Sequence, residues 1–363
     1  MKKKYRNYIK PYFREKFFSF LRKVWNTPDV KEFTTETLKG LLAWKPDFSI
    51  MKQVDPNKDY PELGKYSIKN ETCNRSDIIF VTGRFRSGTT LLWNIFRHTK
   101  GVIAYYEPFN ERRWFDPKIR GNYTDTTHKG VSNYWQEYEN MEFLVKYYEE
   151  WWINKNLYMD RDFWAPKMKR YIELLIENAR GRPVLQFNRV DFRLSWLKAN
   201  FPKAKIIHIY RNPRDQWCSF LRDINAFSPK DKIEEFYSKD GFYLLTWCED
   251  LKYHFPFLDP CQASHPYELF YYLWYLSFIF GKSFADFSFS FESLIESPES
   301  VISRMYELLG LQSLDEIILN KLIKRPLIGK WRQYADDKWF KDIESKCERD
   351  LHDFIFLNFT NKK

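Results

Sequence analysis

The chain has 363 residues, 44% of them hydrophobic and 29% charged, which is ordinary for a soluble globular protein. Only 12 glycines are present, which argues against linkers and low-complexity segments, whereas the 20% aromatic content suits both a large core and an apolar or sugar-stacking cleft. Most of the net charge of +11 lies in residues 1–25, so the near-neutral remainder predicts no nucleic-acid partner.

The first 25 residues predict a basic amphipathic helix over 11–25. Its apolar face comprises Phe13, Phe17, Phe20, Leu21 and Val24. This face either packs on the main domain or contacts a membrane surface, since aromatic residues opposite lysines and arginines are typical of interfacial helices. Charged residues interrupt any secretory apolar segment, so we expect a cytoplasmic protein, peripheral at the inner face of the membrane if the helix binds lipid.

The strongest local pattern is the stretch from Ile78 to Phe96. The apolar run at 78–81 predicts a buried strand, Gly83 to Gly88 a loop, and the apolar spacing at 91–96 a core-facing helix. A strand, a glycine loop and a helix start direct backbone N–H groups at one anion. Arginines and hydroxyls in the loop strengthen the prediction of a phosphate-like ligand.

This loop departs from the nucleotide-binding P-loop. Gly83 and Gly88 have the P-loop spacing, but Thr89 occupies the position of the lysine. No second strand ends in the acidic residue that a magnesium-dependent NTPase needs. The five cysteines are scattered, without CxxC pairs or metal-ligand spacing, so we expect reduced thiols and no metal site.

Further strands and helices alternate along the chain. Strands are predicted at Val102–Tyr106, Pro183–Phe187, 206–210 and Ser288–Phe291, and helices at Met168–Asn178, Ser195–Asn200, 213–219, Leu269–Phe280 and Pro298–Leu309. The run Leu269–Phe280 is too short to cross a bilayer. The alternation predicts an α/β fold with a P-loop-like parallel β-sheet flanked by helices.

A second anion-binding pattern follows the strand at 206–210. Arg211 ends the strand, Pro213 opens a helix, and Ser219 lies on that helix. An arginine at the carboxyl end of a strand and a serine on the next helix can hold one phosphate from two sides.

Together the two patterns resemble the sulfotransferases that use 3′-phosphoadenosine 5′-phosphosulfate (PAPS). The run RSGTT is similar to their 5′-phosphosulfate loop, with Phe85 in place of the usual proline, and Arg211 with Ser219 resembles their 3′-phosphate motif. The arginine form of the loop is more typical of bacterial and carbohydrate branches. Weaker similarities are Tyr106-Glu107-Pro108, the Phe291-Glu292-Ser293-Leu294 stretch with Pro298, and Gly329-Lys330-Trp331-Arg332.

The resemblance implies the sulfotransferase fold, PAPS as co-substrate without a metal, and a set of site residues. The cofactor-binding residues it implies are Arg84, Arg86, Ser87, Gly88, Thr89, Thr90, Arg211, Ser219, Lys330 and Trp331. Arg86 is expected to stabilise the leaving group and Glu107 to act as general base, with a structural ion pair to Arg112 or Arg113 as the alternative for Glu107. His98 and His128 are further base candidates, although a helix-end position favours a structural role for His98.

Other residues have simpler interpretations. His208 is interpreted as a core or ribose-adjacent residue, Cys218 as a small buried apolar group, and Arg189 and Arg214 as either cofactor contacts or, by default, surface ion pairs.

Residues 1–76 are predicted as the basic helix with a lead-in packed on the main domain, and 77–363 as the sulfotransferase domain. An acceptor-binding insertion is predicted at about 110–165, where aromatic residues alternate irregularly with charges, although plain core packing is the alternative. We expect a small-molecule hydroxyl acceptor, first a lipophilic alcohol such as a sterol or lipid, then a carbohydrate or glycolipid, and third a peptidyl tyrosine. The competing functions are a P-loop kinase or NTPase and a non-catalytic nucleotide-binding module.

Overall fold

The structure, a computed structural model, describes residues 72–360 except 126, 127, 129 and 324–327, with backbone only at 357–360, and several positions between 16 and 30. The chain divides into two compact units, Met1–Ile68 and Lys69–Lys363. Nothing described tests the predicted boundary between residues 76 and 77.

A five-stranded parallel sheet forms the centre of the second unit. Its strands are β1 Ile79–Thr82, β2 Val102–Tyr106, β3 Arg182–Phe187, β4 Lys205–Tyr210 and β5 Phe287–Ser290. They are arranged in the order β2-β3-β1-β4-β5, and every neighbouring pair is parallel. The predicted α/β fold with a parallel sheet is therefore confirmed.

Helices follow most strands. They are α1 Thr89–Arg97, α2 Pro117–Arg120, α3 Pro166–Asn178, α4 Leu194–Asn200, α5 Pro213–Phe220, α6 Ile233–Phe236, α7 Leu244–Leu251, α8 Pro266–Phe284, α9 Phe291–Glu296, α10 Pro298–Leu309, α11 Glu316–Leu322 and α12 Asp337–Thr360. The last predicted strand was placed one residue late, because Phe291 begins α9 and the Ser290 hydroxyl caps that helix by accepting from the Ser293 N–H. No helix among the described residues is both long and apolar enough to cross a membrane.

The central strands are enclosed on both faces. All four residues of β1 are buried, as are the four middle residues of β4, which explains why both read as uninterrupted apolar runs. The segment 110–165 adds many rings to the same core, with Trp114, Phe115, Tyr138 and Trp152 each at most 4% exposed. Core packing therefore accounts for these rings, and the acceptor-binding role of the segment stays a prediction.

The sheet order creates a ligand-binding position between β1 and β4. The chain leaves β1 towards β2 at one edge of the sheet and leaves β4 towards β5 at the other. In open parallel sheets, ligands bind beyond the carboxyl ends of two such neighbouring strands. Both predicted anion-binding loops begin at these strand ends.

The N-terminal unit is described only in part. The described positions between 16 and 24 are helical, in agreement with the predicted helix, and Phe17 and Phe20 are 58% and 62% exposed. Residues 11–15 and most of 26–71 lie outside the described residues. The predicted packing of this segment on the main domain is untested.

Candidate active site

The loop after β1 is closely packed against the neighbouring strand and helix. A side chain on Gly83 would clash with the Ile209 carbonyl oxygen of β4, and one on Gly88 would clash with the Phe291 ring of α9. Gly88 also has a φ of 103° and directly precedes α1. Glycine at both positions therefore brings the backbone close to β4 and leaves the first N–H groups of α1 facing the loop.

Arg86 links this loop to the second anion-binding pattern. Its Nε donates to the Ser219 hydroxyl at 3.0 Å, and Arg211 Nη1 donates to the Arg86 carbonyl oxygen at 3.3 Å. Burial lowers the pKa of the Arg86 guanidinium, and the nearby Asp125 carboxylate opposes that shift. Arg86 has a φ of 69°, a left-handed conformation in which non-glycine residues are uncommon and which often marks functional loops.

Two buried polar atoms at this junction have no hydrogen-bond partner among the described residues. They are the Ser87 hydroxyl and Arg211 Nε, while the Arg211 guanidinium stacks on the Phe291 ring at 4.8 Å. Buried polar groups are nearly always satisfied, so these two atoms indicate a place for a ligand with acceptor oxygens. An anion with several oxygens matches the donors of both residues and the start of α1.

The remaining predicted cofactor-binding residues divide into two groups. Thr89 and Thr90 begin α1, and the Thr90 hydroxyl is hydrogen-bonded to the Tyr106 hydroxyl at 3.0 Å. Lys330 and Trp331 lie beside α5, because the Asp215 carboxylate accepts from the N–H groups of Gly329 at 2.7 Å and Trp331 at 3.3 Å. The structure thus brings Lys330 and Trp331 to the helix that carries Ser219.

Arg84 does not lie with this group. Its side chain is 6% exposed, pairs with Asp191 at 3.4 Å and lies over the Trp247 ring at 4.4 Å. Burial raises the pKa of the Asp191 carboxyl, and the Arg84 guanidinium acts in the opposite direction. These contacts give Arg84 a structural role, and its contact with the cofactor stays a prediction.

Glu107 is held in a buried network at the carboxyl ends of β2 and β3. Asn188 donates to Oε1 at 2.6 Å, while Asn110 at 2.5 Å and Arg189 at 3.2 Å contact Oε2. The predicted structural partners were wrong: the ion-pair partner is Arg189, which is 3% exposed and not a surface residue. Asn188 and Arg189 directly follow a strand, as Arg211 does, and that position was the signal for this network.

Two stacked aromatic side chains, Tyr106 and Tyr134, connect Thr90 to His128 and are called the aromatic wall below. The Tyr106 ring stacks on Tyr134 with centroids 4.6 Å apart, and the Tyr134 hydroxyl is hydrogen-bonded to His128 Nδ1 at 2.6 Å. Burial lowers the pKa of the His128 imidazole, while the Asp125 and Glu107 carboxylates raise it and Arg86 lowers it. Burial therefore favours the neutral imidazole of His128, and the charges of both Arg86 and Glu107 act on it.

The other histidines in question lie elsewhere. His98 is exposed and follows the last residue of α1, with Nδ1 2.8 Å from the Asn94 carbonyl oxygen. A nine-residue helix separates it from the loop, about 13 Å at 1.5 Å per residue. His208 is a core residue on β4, where Nδ1 contacts the Ser288 hydroxyl at 2.8 Å and burial lowers its pKa to about 3.

The interpretations of the remaining residues are clear from the structure. Cys218 is 3% exposed and burial raises its pKa to about 12, so it behaves as a buried apolar group. Arg214 forms ion pairs with Asp337 at 2.7 Å and Glu344 at 2.6 Å and is not part of the loop junction. Within the described residues, no group of acidic, histidine or cysteine side chains is arranged to hold a metal ion.

The two predicted anion-binding loops lie on neighbouring strands of the parallel sheet, as expected for an α/β protein that handles a ligand with anionic groups. The sequence matches the model of the sulfotransferase family over residues 77–272, more than half of the chain. The protein belongs to the sulfotransferase family and is an enzyme of sulfuryl transfer, which confirms the resemblance inferred from the loops. No curated protein matches the sequence.

Several solved structures are similar to this chain at low identity. Sulfotransferase STF9 from Mycobacterium avium is 13% identical, with 80% of this chain and 79% of that chain covered and a TM-score of 0.40. Mouse sulfotransferase SULT7A1 complexed with PAP is 12% identical, with 79% and 91% covered and a TM-score of 0.37. Sulfotransferase STF1 from Mycobacterium tuberculosis is 17% identical, with 80% of each chain covered and a TM-score of 0.37. These TM-scores are too low to transfer any property of those proteins to this chain.

Proposed function

We propose that the protein transfers the sulfuryl group of PAPS to a hydroxyl of a small-molecule acceptor. The observation that carries this proposal is the direct contact between Arg86 and Ser219, with unsatisfied donors on Ser87 and Arg211 beside it. PAPS carries one anionic group at its 5′ end and another at its 3′ position, so a site built from two adjoining loops matches it.

The residues present fit the two ends of this co-substrate. Ser87, Thr89, Thr90, Arg86 and the first N–H groups of α1 would hold the 5′ phosphosulfate, and Arg211 and Ser219 the 3′-phosphate, with Lys330 and Trp331 closing from beside α5. PAPS supplies the sulfuryl group: the acceptor oxygen forms a bond to sulfur while the bond from sulfur to the phosphate oxygen breaks. Arg86 and the α1 N-terminus stabilise the negative charge that develops on that phosphate oxygen.

The proton of the acceptor hydroxyl needs a base, and we assign that role to His128. Each carboxylate oxygen of Glu107 already accepts hydrogen bonds, which leaves Glu107 better placed to orient Asn188 and Arg189 than to take the proton. As general base, His128 would donate its Nδ1–H to the Tyr134 hydroxyl, which leaves the unprotonated Nε2 to accept the proton. Glu107, the first candidate from the sequence, is the competing assignment.

We expect His128→Asn to lower kcat by about 10²-fold, the usual contribution of a general base. Because His128 acts as the neutral ring and burial lowers its pKa, the wild-type rate should fall only below pH 6.5. His128→Asn should remove this acidic limb, whereas Glu107→Gln should retain it. The measurement is kcat against pH from 5 to 9, with the exposed His98→Asn as matched control. Loss of the limb in Glu107→Gln alone would reassign the base to Glu107.

For the acceptor we propose a lipophilic alcohol such as a sterol or lipid. Its support is the 20% aromatic content of the sequence and its basic N-terminal segment. The rings of Trp93, Tyr106 and Tyr134 beside Thr90 are themselves buried in the core. A carbohydrate or glycolipid acceptor is the second candidate. It is favoured by a cavity with polar lining residues, among them Arg120 and Glu139.

The deciding experiment measures transfer from radiolabelled PAPS in EDTA to sterols, phenols, glycolipids and oligosaccharides. We expect labelled product with the lipophilic alcohols and no dependence on a divalent metal. Labelling of oligosaccharides alone would replace the lipid acceptor, and no labelling of any acceptor would overturn the proposed reaction.

The basic N-terminal segment would bring the enzyme to the membrane surface where such acceptors reside. Its support is the nine lysines and arginines in residues 1–25 together with the exposed rings of Phe17 and Phe20. Deletion of residues 1–25 should reduce sedimentation with liposomes that contain anionic lipid; equal sedimentation of the two proteins would exclude this contact.

A further inference from the structure

A cavity of about 190 Å³ lies in the segment between β2 and α3. Its lining residues are Trp114, Phe115, Pro117, Arg120, Trp135, Tyr138, Glu139, Asn140 and Glu142. The Trp114 ring also contacts Tyr106 at 5.9 Å and Tyr134 at 5.0 Å, so one aromatic layer separates the cavity from the wall beside Thr90. None of the residues assigned to the transfer reaction lines it.

Two side chains of the cavity carry buried donors that have no partner among the described residues. Trp114 is 4% exposed and its indole Nε1 is unsatisfied, and Nε and Nη1 of Arg120 are unsatisfied as well. The Arg120 guanidinium is held over the Trp135 ring at 4.3 Å, which fixes its position. A buried donor without a partner is unfavourable, so these three nitrogen atoms favour an occupant that offers acceptor oxygens.

The rim of the cavity has the opposite hydrogen-bonding character. Glu139, Asn140 and Glu142 are exposed. Burial lowers the pKa of Arg120, and the carboxylates of Glu139 and Glu142 act in the opposite direction. Each carboxylate acts on Arg120 through its charge and not through a hydrogen bond. The rim therefore offers acceptors, whereas the interior offers donors.

This arrangement discriminates between classes of ligand. A simple anion would meet two carboxylates for one guanidinium, and an apolar ligand would leave three donors unsatisfied. A hydroxyl both accepts and donates, so it satisfies the donors inside and the carboxylates at the rim. A volume of about 190 Å³ corresponds to about six water molecules at ~30 Å³ each.

We propose that this cavity binds one neutral, polyhydroxylated ring of monosaccharide size. The ring is held by the indole N–H of Trp114 and the Arg120 guanidinium inside the cavity and by Glu139 and Glu142 at its rim. Binding requires neither PAPS nor transfer, so it stands whether or not the proposed reaction does. If the acceptor is a glycolipid, this ring is the part of it that does not react.

The test is ligand binding to the full-length protein without PAPS, followed by saturation-transfer NMR. The probes are methyl β-D-glucopyranoside, methyl β-D-galactopyranoside, cyclohexanol and sodium sulfate, the last detected by its ability to displace a bound glycoside. Arg120→Gln removes the charged donors and Trp114→Phe removes the indole N–H while keeping a ring. Arg161→Gln, at an exposed arginine paired with Asp162, is the matched control.

We expect at least one glycoside to bind, with affinity reduced about tenfold or more by Arg120→Gln and unchanged by Arg161→Gln. Thermal unfolding of each variant verifies that it is folded. If Arg120→Gln does not fold, the glycoside affinity of Trp114→Phe tests the proposal in its place. Binding of cyclohexanol in preference to both glycosides would overturn the proposal, as would displacement of the glycoside by millimolar sulfate. Absence of binding by every probe would identify a water-filled cavity and would also overturn it.

Discussion

Replacement of Arg86 by methionine should reduce kcat by about 10²–10³-fold, the loss typical of removing one group that stabilises developing charge. Arg86 is the only arginine of the first loop whose side chain reaches the second, since Arg84 turns to Asp191 instead. In the proposed reaction its guanidinium faces the phosphate oxygen on which charge develops. The measurement is kcat at saturating PAPS and acceptor, together with the Kd for PAP.

Two further variants test whether the loss of kcat in Arg86→Met comes from the missing guanidinium. Arg86→Lys keeps a positive charge without the donor geometry of the guanidinium and should recover part of kcat. Arg161→Gln removes an exposed arginine from the surface and should leave kcat unchanged. If Arg86→Met raised only the KM for PAPS and left kcat at the wild-type value, the side chain would bind the ground state and transition state equally, and its proposed role would be wrong.

Replacement of Arg84 by methionine should destabilise the protein by about 3–5 kcal/mol, because it leaves the buried Asp191 carboxylate without its ion-pair partner. Asp191 is 2% exposed and retains the hydroxyl of Ser277 as a donor at 3.0 Å. Urea unfolding at pH 7 measures the change in the free energy of unfolding. A structural role for Arg84 predicts this loss, whereas a cofactor contact predicts wild-type stability and weaker PAP binding.

The pH dependence of the same variant gives an independent check. Without Arg84, the folded-state pKa of Asp191 rises further above its unfolded value, so the folded protein binds a proton that the unfolded chain does not. The stability of Arg84→Met therefore increases as the pH falls towards 5. The difference in the free energy of unfolding between this variant and the wild type should become smaller. The double variant Arg84→Met/Asp191→Asn should be more stable at pH 7 than Arg84→Met alone. Equal stability of the two variants would show that the ion pair is not what Arg84 provides.

The parallel sheet and both loops could be predicted because each is encoded locally. Strands enclosed by helices are apolar along their whole length. Gly83 and Pro213 mark where β1 and β4 end, and Gly88 marks where α1 begins. The placement of the two loops side by side also followed, because parallel strands expose their carboxyl ends on one edge of the sheet. The helices α2, α6, α7, α9, α11 and α12 were not predicted; α12, for example, packs on α8, which lies far before it in the sequence.

Side-chain direction at the candidate site could not be predicted. Arg84 and Arg86 are two residues apart in one loop, yet one pairs with Asp191 and the other with Ser219, and both partners lie more than a hundred residues away. The same applies to Glu107, whose nearest arginines in sequence are Arg112 and Arg113 but whose partner is Arg189. Choosing among these arginines requires the three-dimensional arrangement.

The bond between Arg86 and Ser219 has a consequence for ligand discrimination. Arg86 belongs to the loop that would hold the 5′ end of the nucleotide, and Ser219 would hold its 3′-phosphate. In the structure, Arg86 Nε already donates to the Ser219 hydroxyl. In the proposed binding mode, a nucleotide with a single phosphate would contact only one of the two loops, whereas a 3′,5′-bisphosphate would contact both. We therefore expect the two loops to recognise the two phosphates as a pair, and common mononucleotides to be weak competitors.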